Sequence, residues 1–201
     1  MRLLLLAALV LQPPFAHTVS RVTAGQLPYS WHHGCPVAPS QLRQVRLSYW
    51  GFDGSTHTGA LVVNRTVVED VVRVFARLYA ARFPIRRLQP IDAYRGSDER
   101  SLEADNTAAF NCRYAVASGP KRWSAHAHGL AIDVNPVENP YLEGGRVHPR
   151  AGQAFLNRSR VRPGMAVRGG LLVRVFAGVG WQWGGRWTAS PDYQHFSKTG
   201  G

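Results

Sequence analysis

The chain has 201 residues, 45% of them hydrophobic and 18% charged, with a formal net charge of +12. That is enough apolar material for one packed domain and too much for a disordered chain. The arginines are scattered, no run of five basic residues occurs, and basic and aromatic residues do not alternate, which argues against a nucleic-acid platform.

The chain opens on "MRLLLLAALVLQPPFAH". Arg2 followed by the apolar run Leu3 to Leu11 reads as a secretory signal over 1–16, too short to span a membrane. A retained anchor is the alternative. After cleavage no stable membrane insertion is expected, because no later run is long and apolar enough. Residues 17–33 read as a loosely ordered stretch, and 34–201 as one domain without internal repeats or linkers. Cys35 and Cys112 are the two cysteines. In an exported protein they most simply pair as a disulfide, with two free buried thiols as the alternative; no CxxC suggests a zinc-thiolate site.

The clearest helix runs from Thr66 to Phe83. Thr66 and Glu69 read as a capping box, Val68, Val71, Val72, Phe75, Leu78 and Tyr79 fall on one face, and Pro84 stops it. A short strand broken by Pro90 follows. Asp98 and Asp105 read as loop aspartates ahead of a strand at 110–115, with orienting a ligand or binding the peptide amine as the alternative for Asp98. The segment 130–136 reads as a strand whose alternation puts Asp133 opposite Leu130, Ile132 and Val134. Residues 169–180 read as a second helix, and the C-terminal region as strand, turn, strand. The mixture lacks βαβ regularity, so the expected class is α+β, a small antiparallel sheet with flanking helices.

Chemistry concentrates in "SAHAHGLAIDVNP", 124–136, and "DYQHFS", 192–197. A catalytic zinc needs three protein ligands and an open position, and both imidazole nitrogen and carboxylate oxygen suit it. His126 and Asp133 offer two ligands, and His195 can complete the set. Asp192 is then available to take a proton from an activated water, Arg113 to steady an oxyanion, and Ser124 to bind a polar group of the substrate. His128 reads as a wall residue. His32, His33, His57 and His148 read as surface or loop residues. Trp181, Trp183 and Trp187 are either core or the floor of a groove.

The pattern S-x-H-x-x-G-x-A-x-D, carried by Ser124, His126, Gly129, Ala131 and Asp133, resembles the signature of the zinc D-alanyl-D-alanine carboxypeptidases and L-alanyl-D-glutamate endopeptidases. These are peptidoglycan peptidases of the hedgehog/DD-peptidase fold. The likeness extends to "GCPV", "GFDGSTHTGALVVN", "NTAAFNCR", "NPVENPY" and "GWQWGGRW…DYQHF", over about residues 34–198. It implies Zn2+ on His126, Asp133 and His195, with Asp192 as base, Arg113 at the substrate carbonyl and Ser124 near the substrate. It further implies a secreted or wall-associated enzyme acting on peptidoglycan peptides. Which bond is cut, and the oligomeric state, stay open. A non-catalytic zinc-containing binding module of the same fold is the rival reading; loss of the base would mark it, and Asp192 is present.

Overall fold

The computed structural model describes residues 13–116 and 120–200. In chain order the strands and α-helices are β1 His17–Arg21, β2 Leu42–Trp50, β3 Thr56–Asn64, α1 Val68–Ala80, β4 Arg87–Leu88, α2 Asp98–Glu103, β5 Asn106–Thr107, β6 Ala131–Asp133, β7 Tyr141–Glu143, β8 Arg146–His148, α3 Leu171–Ala177, β9 Gln182–Trp183 and β10 His195–Ser197. Short 3-10 turns lie between many of them. β1, β2 and β3 form one antiparallel sheet, and β6, β10 and β9 a second. β4 and β5 pair in parallel, while β7 and β8 make a hairpin. The α+β expectation is borne out. No helix among the described residues is long and apolar enough to cross a membrane.

α1 lies across the first sheet because its apolar stripe matches the inward side chains of β2 and β3. Val71, Val74, Phe75, Leu78 and Tyr79 are buried on the helix, and Val45, Leu47, Leu61 and Val63 on the sheet. The same core continues through Phe176 of α3 to Ile132 and Phe196. Phe176 and Phe196 stack with centroids 4.2 Å apart. Each buried Phe or Ile contributes about 2 kcal/mol by leaving water. Ile132 and Phe196 are the chain neighbours of Asp133 and His195, so this packing also anchors the polar residues beside them.

The helix start differs from expectation. Asn64, not Thr66, is the capping residue: its Oδ1 accepts from the Thr66 amide at 3.1 Å and from the Thr66 hydroxyl at 2.9 Å. A 3-10 turn at Arg65–Val67 leads into α1, so the Thr66–Glu69 box does not form. An asparagine side chain ending a strand is already placed to cap the next turn. The helix ends before Pro84, with Arg82 in the left-handed region at φ 51°.

The stretch 17–33 is not loosely ordered. β1 pairs with β2 from His17↔Leu47 to Arg21↔Arg43. Leu27 and Ser30 are buried, and the Tyr29 and Ser30 amides donate to Asp92 Oδ1 at 2.9 and 3.1 Å. Few apolar residues announce this segment, because β1 is an edge strand with every residue exposed. Of the expected signal segment, residues 1–12 lie outside the described residues. Phe15 rests on the core beside Tyr79, whose hydroxyl donates to the Pro13 carbonyl at 2.7 Å.

The segment 110–115 is extended but joins no ladder. Its backbone is shared among three neighbours: the Phe110 amide donates to Val62, the Cys112 amide to Ser30, and the Ser124 amide to the Arg113 carbonyl. Cys35 and Cys112 are joined in a disulfide with Cα atoms 5.9 Å apart.

Candidate metal centre and its cleft

The site begins with strand register. In the β6–β10 pair, His195 stands directly opposite Asp133. Cross-strand partners project from the same face, so both side chains emerge together. Asp133 is held on its other side as well. Its amide donates to the Ala108 carbonyl at 2.9 Å, and its carbonyl accepts the Ala108 amide at 3.1 Å. β6 ends at Asp133, and two residues on Asn135 enters the left-handed region at φ 45°. Asn135 closes that turn by accepting the Arg86 amide and donating to the Pro84 and Gly164 carbonyls.

His126 arrives from the 3-10 turn Ala125–His128. The hydroxyl of Ser124 accepts the His126 amide at 3.2 Å and caps this turn. Gly129 ends it with φ +66°, and a Cβ there would lie 2.6 Å from the Asn64 amide nitrogen. Glycine is therefore required by both conformation and space. Because the two histidines lie on a helical turn and not on a strand, His128 does not share the direction of His126. His128 is absent from the metal-ligand group and offers its carbonyl to Asn64 Nδ2 at 3.0 Å.

Three ligand atoms converge. His126 Nε2 lies 3.2 Å from both Asp133 Oδ2 and His195 Nδ1, and His195 Nδ1 lies 3.1 Å from Asp133 Oδ1. His126 Nδ1 donates to the Ala109 carbonyl at 2.6 Å. That bond settles the tautomer of the neutral ring: Nε2 carries a lone pair, aimed at the other two ligands. His126 and His195 are buried. Burial works against a charge on His126, but the Asp133 carboxylate beside it prevails and raises its pKa. Burial likewise opposes ionised Asp133, yet His126 and His195 hold its pKa well below the usual range. An N, N, O donor set facing one point is the set that a divalent cation such as zinc replaces protons to occupy. The residues fit such an ion. A second group, His32, Cys35 and Cys112, has both sulfurs committed to the disulfide and offers no thiolate.

The triad lines a cleft of about 270 Å³ that also includes Asp192, Arg113 and Trp187. Asp192 reaches it because Gly184 lets the chain approach closely: a Cβ there would meet the Asp192 carbonyl at 2.9 Å and the His195 Cβ at 3.3 Å. The Asp192 amide donates to the Gly184 carbonyl. Its Oδ1 is buried without a hydrogen-bond partner among the described residues, as are Gln194 Oε1 and His195 Nε2 from the same segment. Burial, and next the charge of Asp133, push the Asp192 carboxyl up to about 7.

Arg113 forms the opposite shoulder. Its Nε is ion-paired with Asp98 Oδ2, and Asp98 Oδ1 accepts from Asn111 Nδ2 at 2.8 Å. Asp98 opens α2, capped by Ser97, and is therefore not a free loop residue. Sequence reasoning gave Asp98 a site role only as an alternative and placed neither Asn111 nor Gln194 at the site. The available signal for Asp98 was its position just after a capping serine, which marks a helix start but not the direction of the side chain. His148, read as a surface residue, is half-buried and lines the cleft. Trp181 and Trp183 are core, whereas Trp187 sits on the cleft wall with its ring centroid 5.4 Å from that of His195.

Residues 118–198 match a protein-family model described as D-alanyl-D-alanine carboxypeptidase. The match bears out the family resemblance read from the signature. The matched stretch contains His126, Asp133, Asp192 and His195, while Arg113 and Asp98 precede it. No curated protein and no solved structure matches the chain.

Proposed function

We propose, from the D-alanyl-D-alanine carboxypeptidase match over residues 118–198 and the site on which it falls, that this is an exported zinc-dependent peptidase acting on peptidoglycan stem peptides. The match supports a peptidase with a peptide-type substrate. The observation that carries the finer reading is the convergence of His126, Asp133 and His195 at a cleft that also holds Asp192.

His126 Nε2, the Asp133 carboxylate and His195 Nδ1 would hold the ion. When bound, zinc supplies Lewis acidity to an amide carbonyl and acidifies water. The remaining work falls to side chains of this chain. Asp192 takes a proton from the attacking water and returns it to the departing amine. Its Oδ1, buried without a hydrogen-bond partner among the described residues, is open to that proton. Arg113, steadied by Asp98, meets the negative charge that develops on the carbonyl oxygen. His126 is kept in its ligating tautomer by the Ala109 carbonyl. The Trp187 ring narrows the cleft and limits competing water.

Export is proposed from the apolar run Leu3 to Leu11, and the Cys35–Cys112 bridge supports it because such bridges persist in oxidising surroundings. The test is digestion of purified muropeptides with zinc-loaded protein, read by mass spectrometry. Products missing a terminal D-alanine indicate carboxypeptidase action, and products split at L-Ala-D-Glu indicate endopeptidase action. Unchanged muropeptide masses in the presence of bound zinc would overturn the proposal.

A further inference from the structure

Away from the cleft, a second set of ligating side chains converges. A ring nitrogen of His32 and the sulfurs of Cys35 and Cys112 all lie within 4.8 Å of one another. None of the three lines the cleft. His32 and Cys35 stand three residues apart on a tight turn, closed by the Cys35 amide donating to the His32 carbonyl at 3.2 Å. A turn with ligands at that spacing is a common way for a short stretch to grip zinc with two side chains. The His32 amide donates in return to Cys35 Sγ at 3.2 Å. An N–H aimed at sulfur favours the thiolate over the thiol. His32 Nδ1 lies 2.8 Å from the His33 carbonyl and so keeps the proton of the neutral ring, which leaves the lone pair on Nε2.

In this structure the two sulfurs are bonded to each other. Their neighbourhood does not depend on that bond alone. Leu27, Val62 and Phe110 pack with Cys112, and the Cys112 amide donates to the Ser30 carbonyl at 2.9 Å. On the other side, Trp31 rests on the same small core and its Nε1 donates to the Val37 carbonyl at 2.9 Å. Both sulfurs therefore stay side by side when the bond is open. Two thiolates on one zinc stand about 3.8 Å apart, from bonds of about 2.3 Å at a tetrahedral angle. Side chains on Cα atoms 5.9 Å apart can reach that separation by rotating. Two thiolates and one divalent ion also sum to zero charge, which suits a corner where Cys112 is buried and Cys35 half-buried. His32 is exposed, so ions reach the corner from solvent.

We infer that Cys35, Cys112 and His32 form a second metal site in the dithiol state, for a thiophilic divalent ion such as Zn2+, so that one corner of the fold is clasped either by a disulfide or by an ion. The exchange balances with a dithiol reductant. The reductant gives two electrons and two protons, closes its own disulfide and leaves two protein thiols. The ion then displaces both thiol protons and takes His32 Nε2 as its third protein ligand.

The test uses the full chain, reduced with dithiothreitol, freed of it under nitrogen and shown by thiol titration to carry two free thiols. Cobalt(II) is the probe, because bonding to thiolate gives an intense near-ultraviolet charge-transfer band. His126, Asp133 and His195 offer no sulfur and cannot produce it. The reduced chain should bind one more Co2+ than the disulfide form and show the band, and added Zn2+ should erase the band. His32→Ala should weaken this binding about tenfold or more, while His33→Ala leaves it unchanged. Circular dichroism of both variants in their disulfide form verifies the fold. The reduced chain unfolded in urea should hold the ion at least about tenfold more weakly, because its ligands are no longer gathered. Absence of the band overturns the inference, whether the ion fails to bind or the reduced corner comes apart. Equal affinity in His32→Ala, an equal loss in His33→Ala, or equal affinity in urea overturns it as well. No hydrolysis is read, so the result stands apart from the peptidase reading.

Discussion

Two close acid pairs among the described residues have opposite fates, one half-buried at the cleft and one fully buried. Asp133 and Asp192 face the cleft, whereas Asp105 and Glu138 lie where the turn after β6 meets the segment before β5. In each pair one carboxyl is raised, Asp192 to about 7 and Glu138 to about 8, by burial first and by the neighbouring carboxylate second. The difference is in what else arrives. Asp133 meets two imidazoles, and the space beside it is open. Asp105 instead accepts the Val137 amide at 2.9 Å, and a single guanidinium, Arg86, lies 3.5 Å from Asp105 and 3.7 Å from Glu138. Arg86 is itself stacked on Phe52 at 4.0 Å. A perturbed acid is thus no mark of catalysis by itself; lone pairs converging on a reachable space are the stronger sign.

The contrast can be broken most decisively at the ligands. His126→Ala should abolish both stoichiometric zinc, measured by elemental analysis after dialysis, and muropeptide hydrolysis. Loss of zinc with hydrolysis intact would remove the metal from the reaction. Asp192→Asn should retain zinc while kcat drops by about 10²–10⁴-fold, the range for a lost proton carrier. An unchanged rate would return the two acid pairs to the same status and revive the binding-module reading.

A smaller effect is expected at Asp98. Asp98→Asn keeps a hydrogen-bonding group but loses the charge that orients Arg113, and kcat should fall about tenfold with KM little altered, a single charge-assisted contact being worth about 1.5 kcal/mol. Asp98→Glu should recover part of it. A change confined to melting temperature would make Asp98 a packing residue only. The smallest effect on activity belongs to Glu138→Gln, whose consequence lies in stability against pH. Between the ordinary glutamate range and about 8 the folded chain keeps a proton that the unfolded chain has released. Stability should therefore fall as pH rises across that window. The glutamine variant should flatten this fall in denaturant melts taken from pH 5 to 9. A slope equal to that of the unsubstituted chain would show that Glu138 is not the group responsible.

How much of this was legible in the sequence follows from how far each signal reaches along the chain. The apolar stripe of α1 is local and was read correctly, although Val74 was overlooked. The alternation around Asp133 and its motif partners was also local, and the four residues assigned to metal and base do reach one cleft. The start of α1 was misjudged because Asn64 and Thr66 both have capping chemistry, and only the strand before them decides which one is used. Asn111 and His148 gave no usable sign, and Asp98 only a partial one, because their roles depend on contacts across the fold. The order within 17–33 was hidden for the same reason: β1 earns its place through backbone pairing, which any residue types can supply.

The disulfide has a consequence for timing. Cys112 immediately precedes Arg113 and follows Asn111, and its partner Cys35 anchors that corner to a segment 77 residues away in sequence. While both sulfurs are reduced, the shoulder that presents the guanidinium loses this tether. Without the bond or an ion in its place, the corner carrying Arg113 would rest on the Asp98 ion pair and on the backbone hydrogen bonds of residues 110–113 alone.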